Sequence, residues 1–201
     1  MCSSDLKAAL RDAGIDVARE VIVGPDDPRA EVRARIEDEL GLPVFVKPAR
    51  LGSSVGISRV DAAADLDAAL DLALAHDDKV LVEELIVGRE VECSVLGLPP
   101  DLATSLVGEI TYDAEWYDYE AKYADGGSAL VVPARIPDAA AEQLRATAAR
   151  AFAICDCHGM ARIDFFHTDA GRLVLNEVNA IPGFTATSYY ARMFEASGLP
   201  Y

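Results

Sequence analysis

Residues 159–184, GMARIDFFHTDAGRLVLNEVNAIPGF, constrain the fold of this chain more than any other stretch. Two apolar runs, Ala161 to Phe166 and Arg172 to Val178, flank Thr168-Asp169-Ala170-Gly171, which has turn chemistry. The stretch therefore predicts a hairpin of adjacent strands. Asp164 falls on the first strand. Glu177 and Asn179 end the second, two apart, and so share a face. Carboxylates among apolar neighbours are costly unless a cation neutralises them. Asp, Glu and Asn without His or Cys form a hard, oxygen-only donor set, the kind that holds Mg²⁺ together with water and phosphate. Acid and amide residues after a strand also cap turns, and the motif alone leaves both readings open.

Two further segments bear on that choice. In residues 44–60, VFVKPARLGSSVGISRV, a short strand ends in Lys47 and a returning strand follows Gly52-Ser53-Ser54-Val55-Gly56. A small-residue loop between strands exposes N–H groups that can wrap phosphate oxygens. It is neither a Walker A loop nor a GxGxxG turn, and an ordinary hairpin loop is the plain alternative. In residues 80–96, VLVEELIVGREVECSVL, a strand runs into Glu83-Glu84-Leu85-Ile86, Gly88 breaks it, and a second strand starts near Glu90. Such a linker can read an adenine edge, and a later acid can hold ribose hydroxyls. A solvated acidic edge is the alternative.

The remaining pattern predicts a mixed α+β chain. Helices are expected at Asp5 to Ala13, Pro28 to Leu40, Asp61 to His76 with Asp61 as N-cap, Asp138 to Asp156 with an Asp cap, and Ser188 to Ala196. Strands are expected at Val17 to Val23, 44–47, 57–60, 80–83, 90–96, 104–111 and Ala129 to Val132, besides the hairpin. Residues 112–127 are polar, Tyr-rich and too long for a plain turn, which marks them as a lid; an aromatic patch packed on a sheet is the alternative.

Charge narrows the function. The chain has 201 residues, enough for one or two domains, and 34 acidic against 18 basic residues for a net charge of −16. That excess disfavours nucleic-acid binding. No apolar run has the length of a membrane span and no secretory signal precedes the first helix, so no membrane partner is expected and a cytoplasmic location is. The cysteines are Cys2, Cys93, Cys155 and Cys157. Cys155-Asp156-Cys157-His158 lacks CxxC spacing and a second Cys/His pair, so buried thiols are a better reading than zinc.

Taken in order, Lys47-Pro48 with GSSVG, then EELIVGRE, ARIDFF and NEVNAIPGFT, resemble the ATP-grasp superfamily, and within it most closely the D-alanine–D-alanine ligases. Tyr117-Asp118-Tyr119-Glu120-Ala121-Lys122-Tyr123 looks like that family's mobile loop, a segment in which D-alanine–D-lactate ligases usually differ. The resemblance covers nearly the whole chain. It implies an ATP-grasp fold of two α+β subdomains with the nucleotide between them: residues 1–85 as the small subdomain with the Gly-rich phosphate lid, and 86–201 as the large one with the mobile loop and metal site.

The resemblance also implies roles. Lys47 contacts the nucleotide phosphates, under a small lid holding Ser53 and Ser54. Glu83 accepts from the adenine amino group, Ile86 offers backbone contacts and Glu90 holds the ribose. Lys122 meets the γ-phosphate and Tyr123 helps close the loop. Asp164, Glu177 and Asn179 bind two Mg²⁺, replaceable by Mn²⁺, with Glu177 bridging. Arg162 and the Gly183 N–H stabilise the tetrahedral intermediate, and Ser188 lies near the carboxylate of the second D-alanine. The implied reaction joins two D-alanines through an acylphosphate at the expense of ATP, for peptidoglycan precursors. The family further implies a homodimer.

Departures from the family pattern leave alternatives. The family has an N-terminal domain that binds the first D-alanine, and a phosphate-binding lysine at the start of the opening helix. Counted back from Gly14 that position is Ser3, while Lys7 matches a different family lysine. The early start and the end at Tyr201 lead us to expect a fragment of a longer enzyme, inactive as a ligase by itself. A different ATP-grasp carboxylate–amine ligase, or a nucleotide-binding fragment that no longer catalyses, are the other expectations.

Overall fold

The computed structural model describes residues 3–51, 55–112 and 128–201. The chain divides into two compact units. The first comprises the residues up to Asp12 with Val17–Ile86; the second comprises Ala13–Asp16 with Val87–Tyr201.

The first unit contains α1 (Ser3–Asp12), β1 (Glu20–Val23), α2 (Arg29–Glu39), β2 (Val44–Pro48), β3 (Ser58–Val60), α3 (Leu66–Leu74) and β4 (Val80–Glu84). Its sheet has the order β1-β4-β2-β3, antiparallel throughout. Strict alternation sorts its two faces. Val21, Val23, Val44, Val46, Val80 and Val82 pack with Val32 and Ile36 of α2 and Leu66, Leu70 and Ala73 of α3. The opposite side chains of the central strands include Lys47 on β2 and Leu81 and Glu83 on β4. The β1–β4 register sets Glu20 directly beside Glu83, a like-charge pair that needs a counter-ion.

The second unit contains β5 (Arg89–Leu98), β6 (Asp101–Thr104), β7 (Gly108–Tyr112), β8 (Ser128–Val131), α4 (Asp138–Ile154), β9 (Gly159–His167), β10 (Leu173–Asn179) and α5 (Tyr189–Ala196). The sheet runs β10-β9-β5-β7-β8, with β6 also pairing β5. α4 buries Leu144, Ala148, Ala151 and Phe152, one stripe of its surface, against β5, β9 and β10. α5 is tied to β5 by Ser94 Oγ donating to Tyr190 O at 3.2 Å and by Tyr190 Oη donating to Val95 O at 3.1 Å. Gly88 lets β5 start close against β9: a Cβ there would lie 2.7 Å from His167 O.

Three local expectations need correction. Asp61 caps no helix; its carboxylate accepts from Arg59 at 2.7 Å, and a 3₁₀ turn (Ala63–Asp65) leads into α3 instead. Asp138 is the first helical residue of α4 and Pro137 the N-cap, a placing that sets the acid against the positive end of the helix dipole. The single strand expected at 104–111 is two strands, β6 and β7. Ser105, fully buried, accepts the Ser94 N–H on its Oγ at 3.0 Å and so stands in for the ladder where they part. Among the described residues no helix is long and apolar enough to cross a membrane.

Candidate functional site

The β9–β10 hairpin carries a dense set of ionisable groups. Leaving the turn, His167 pairs with Leu173, Phe166 with Val174 and Phe165 with Leu175. A register shift between Leu175 and Glu177 then sets Glu177 opposite Asp164 and Asn179 opposite Arg162. Without that bulge Asn176 would face Asp164 and Glu177 would face Ile163. The extra residue thus re-aims the acid onto the polar face, a common use of bulges beside active sites.

Asp164 is the hub. Arg162 donates to both of its oxygens, Nε to Oδ1 and Nη2 to Oδ2, each at 2.8 Å, and Asn179 Nδ2 donates to Oδ2 at 2.9 Å. One strand over, the register places Glu92 beside Asp164, with its Oε2 3.2 Å from Arg162 Nε. Glu92 is 7% exposed, and that oxygen is buried without a hydrogen bond. Glu90, two residues earlier, and Glu177 add charge to the same field. Among the described residues one arginine thus faces four carboxylates. Burial, followed by the charges of Glu177 and Glu90, raises Asp164 to about 6 in spite of Arg162. Burial and then Asp164 push Glu92 well above the usual carboxylate range. Burial works against charge on Arg162, but Asp164 and Glu92 hold the guanidinium above its ordinary value.

A second polar cluster lies in the first unit. Glu83, 5% exposed, is gripped from both sides. Lys7, 2% exposed on α1, donates to Oε1, and Lys47 Nζ lies 2.7 Å from Oε2. Lys7 also lies 3.8 Å from Glu20, to which Arg11 adds a contact at 3.6 Å. Burial alone would raise Glu83; Lys47 and then Lys7 outweigh it and lower the group. Burial lowers Lys7, partly offset by Glu83.

A family model described as D-ala D-ala ligase C-terminus matches residues 9–201. The chain belongs to the D-alanine–D-alanine ligase family. The D-alanine–D-alanine ligase of Mycolicibacterium vanbaalenii is 50% identical over 97% of the chain and 54% of its own length. That of Deinococcus radiodurans is 49% identical over 97% and 59%. The VanG D-Ala:D-Ser ligase of Enterococcus faecalis superposes with a TM-score of 0.89 at 38% identity, covering 98% of this chain and 57% of that one. The chain therefore spans about half the length of the relatives it matches. Its fold is the α+β ATP-grasp fold of these ligases.

In this ligase-family chain the structure brings together Arg162, Asp164 and Asn179 directly, with Glu177 in register beside them. Gly183 and Ser188 also adjoin: a Cβ on Gly183 would sit 3.6 Å from Ser188 Cβ. Ser188 is the N-cap of α5 and its Oγ donates to Thr185 O at 2.8 Å. Lys47 and Glu83 form an ion pair, so both acceptor oxygens expected to meet adenine are engaged by lysines. Ile86 follows β4 and is half-buried. Ser53, Ser54, Lys122 and Tyr123 lie outside the described residues. Among the described residues no group of three or more His, Cys, Asp or Glu side chains is arranged to hold a metal ion: the oxygens of Asp164 are turned to Arg162 and Asn179. Cys93, Cys155 and Cys157 are free, and burial pushes the Cys155 thiol up to about 11.

Sequence reasoning passed over Glu92, Lys7, Glu20 and Arg11 as site residues, and two of them had a signal. Glu92 had a visible signal, an acid inside the apolar run VECSVL, two residues from Glu90 and so on its face. Lys7 had a weaker one, a lone lysine on the buried side of a short helix.

Proposed function

We propose that the protein is the ATP-grasp part of an ADP-forming ligase that joins two D-alanines through an acylphosphate, supplying cytoplasmic peptidoglycan synthesis and hence cell-wall biogenesis and cell shape. The observation that carries this reading is the carboxylate excess around Arg162, on the hairpin whose sequence matches the family. Residues 1–85 are the small subdomain of this reading and 86–201 the large one.

The residues fit a divalent cation by their chemistry. Asp164, Glu177 and Asn179 offer only oxygen ligands, and Asp164 and Glu92 are carboxylates that burial leaves short of positive charge. Asp164, Glu177 and Asn179 would hold two Mg²⁺, with Glu177 shared and Mn²⁺ a substitute. A metal held there would supply positive charge to phosphate oxygens. Arg162 supplies fixed positive charge and, with the Gly183 N–H, faces the developing oxyanion. Ser188, at the head of α5, receives the carboxylate of the second D-alanine. Lys47 leaves Glu83 for the nucleotide phosphates; Glu83 then reads the adenine amino group and Glu90 the ribose, while Ile86 lends its backbone. Ser53, Ser54, Lys122 and Tyr123 are assigned to the phosphates and their cover by their place in the motifs. The assembly in this reading is a homodimer.

The test is phosphate release from Mg·ATP with D-alanine, for the 201-residue chain and for a fusion carrying the family's N-terminal domain ahead of Asp5. D-Alanine-dependent turnover by the fusion is expected. Because a D-Ala:D-Ser ligase is among the structural relatives, D-serine is tested beside D-alanine. Preference for D-serine would replace the acceptor, and turnover with neither would overturn the reading.

A further inference from the structure

We propose that Glu92 is a positioning residue for Arg162, a second carboxylate that holds the guanidinium when Asp164 turns to a cation. The proposal rests on the reading of Asp164 as a metal ligand. The roles given to Asp164 and Arg162 compete: an aspartate clasped by both arms of a guanidinium presents little of its in-plane lone-pair density to a metal. Arg162 must let go of part of Asp164 without leaving the site.

The sheet provides for this. β9 lies between β10 and β5. Glu177 and Asn179 reach Asp164 from the β10 side, and Glu92 reaches Arg162 from the β5 side. The ligand-bearing strand and the Glu92-bearing strand thus flank Asp164 on opposite edges. Glu92 already forms an ion pair with Arg162 Nε at 3.2 Å, yet its buried Oε2 accepts no aligned hydrogen bond. A buried carboxylate with unused acceptor capacity, next to an arginine whose Nε–H and one Nη2–H are committed to another acid, is a seat to which that arginine can shift. Ser94, on the same face of β5, pairs in register with Arg162 itself, so the guanidinium meets Glu92 diagonally, within reach of a long side chain. A purely packing role would be filled as well by glutamine, which has the same shape.

The experiment is a double-mutant cycle on the 201-residue chain, read by the MgCl₂ dependence of ATP binding in calorimetry. Glu92→Gln is expected to weaken the Mg²⁺ dependence about tenfold, as loss of an outer partner of a metal ligand does. In an Arg162→Met background the same change should cost less than about twofold, because the residue through which it acts is gone. Should Arg162→Met not fold, Arg162→Lys, which keeps the charge but not the fork, replaces it. In parallel, the Arg162 Nε–H resonance should stay protected from exchange in Mg·ATP-bound wild type and lose that protection in Glu92→Gln. Equal losses in both backgrounds would make Glu92 act on the cation directly, and no loss in the wild-type background would make it a packing residue; either result overturns the proposal. Asp164→Asn separates the underlying reading: if it leaves Mg²⁺ dependence intact, the metal assignment fails and the proposal falls with it.

Discussion

The two buried charge clusters of this chain are built from the same residue types and solve opposite problems. In the first unit Lys7, Lys47 and Arg11 meet Glu83 and Glu20, and the positive side is enough to pull Glu83 below its ordinary value although it is buried. In the second unit, among the described residues, one cation, Arg162, stands among Glu90, Glu92, Asp164 and Glu177, and both Asp164 and Glu92 are driven up. Glu83 is satisfied by the chain itself, although burial raises its neighbour Glu20, whose Oε2 accepts no hydrogen bond. A cluster left short of positive charge is stable only at a cost, and that cost is recovered when a cation arrives. Burial raises Glu20 in the first cluster as well, so the contrast lies in the cations each central acid meets among the described residues, Lys7 and Lys47 at Glu83 against Arg162 at Asp164.

The largest effect should come from unbalancing the neutral cluster. Lys7→Met leaves Glu83 and Glu20 side by side on adjacent strands with their shared lysine gone, and should cost about 3–5 kcal/mol of stability in denaturant unfolding. Lys47→Met should cost about 1 kcal/mol, because that side chain is 21% exposed and water takes over part of its role. Equal losses at the two lysines would break the account of Lys7 as the structural one. Glu92→Gln, in the other cluster, should leave stability unchanged or higher.

A smaller effect separates the clusters by ligand. Mg²⁺ with ATP at about a hundred times the dissociation constant should stabilise the chain by about 2.7 kcal/mol. Glu177→Gln should abolish that gain, whereas Lys7→Met should keep it on a lower baseline. A gain surviving in Glu177→Gln would move the cation elsewhere.

A further effect is in pH. Asp164 titrates near 6 folded against 3.8 unfolded, so between those values the folded state binds more protons and its stability falls as pH rises. Glu83 is lowered, so its contribution is present above its ordinary value of 4.5 and is lost as pH falls through its folded value. Asp164→Asn should flatten the decline between about pH 4 and 6 and leave the acid limb from Glu83 in place. An unchanged profile would contradict the carboxylate excess.

How far these clusters could be read from sequence follows from their range. The hairpin, its turn and the shared face of Glu177 and Asn179 are local, set by period and turn chemistry, and the structure keeps them. The bulge before Glu177 is not visible in a two-residue period, because it depends on which pairing buries Leu175 and still aims the acid. The break between β6 and β7 depends on Ser105 reaching back to Ser94. Lys7 and Glu83 are 76 residues apart, and no local pattern links a helix lysine to a strand acid. The cap at Asp61 failed because Arg59, on the preceding strand, competes for the same carboxylate.

The most direct test of the central claim is isothermal titration of Mg·ATP into the wild-type chain and into Glu177→Gln. The substitution keeps shape and removes one negative charge from the cluster around Arg162. The account predicts binding weakened by at least about tenfold in the variant, more than 1.4 kcal/mol, with little change in the affinity for ATP without metal. Equal Mg·ATP affinity in the two proteins would contradict it.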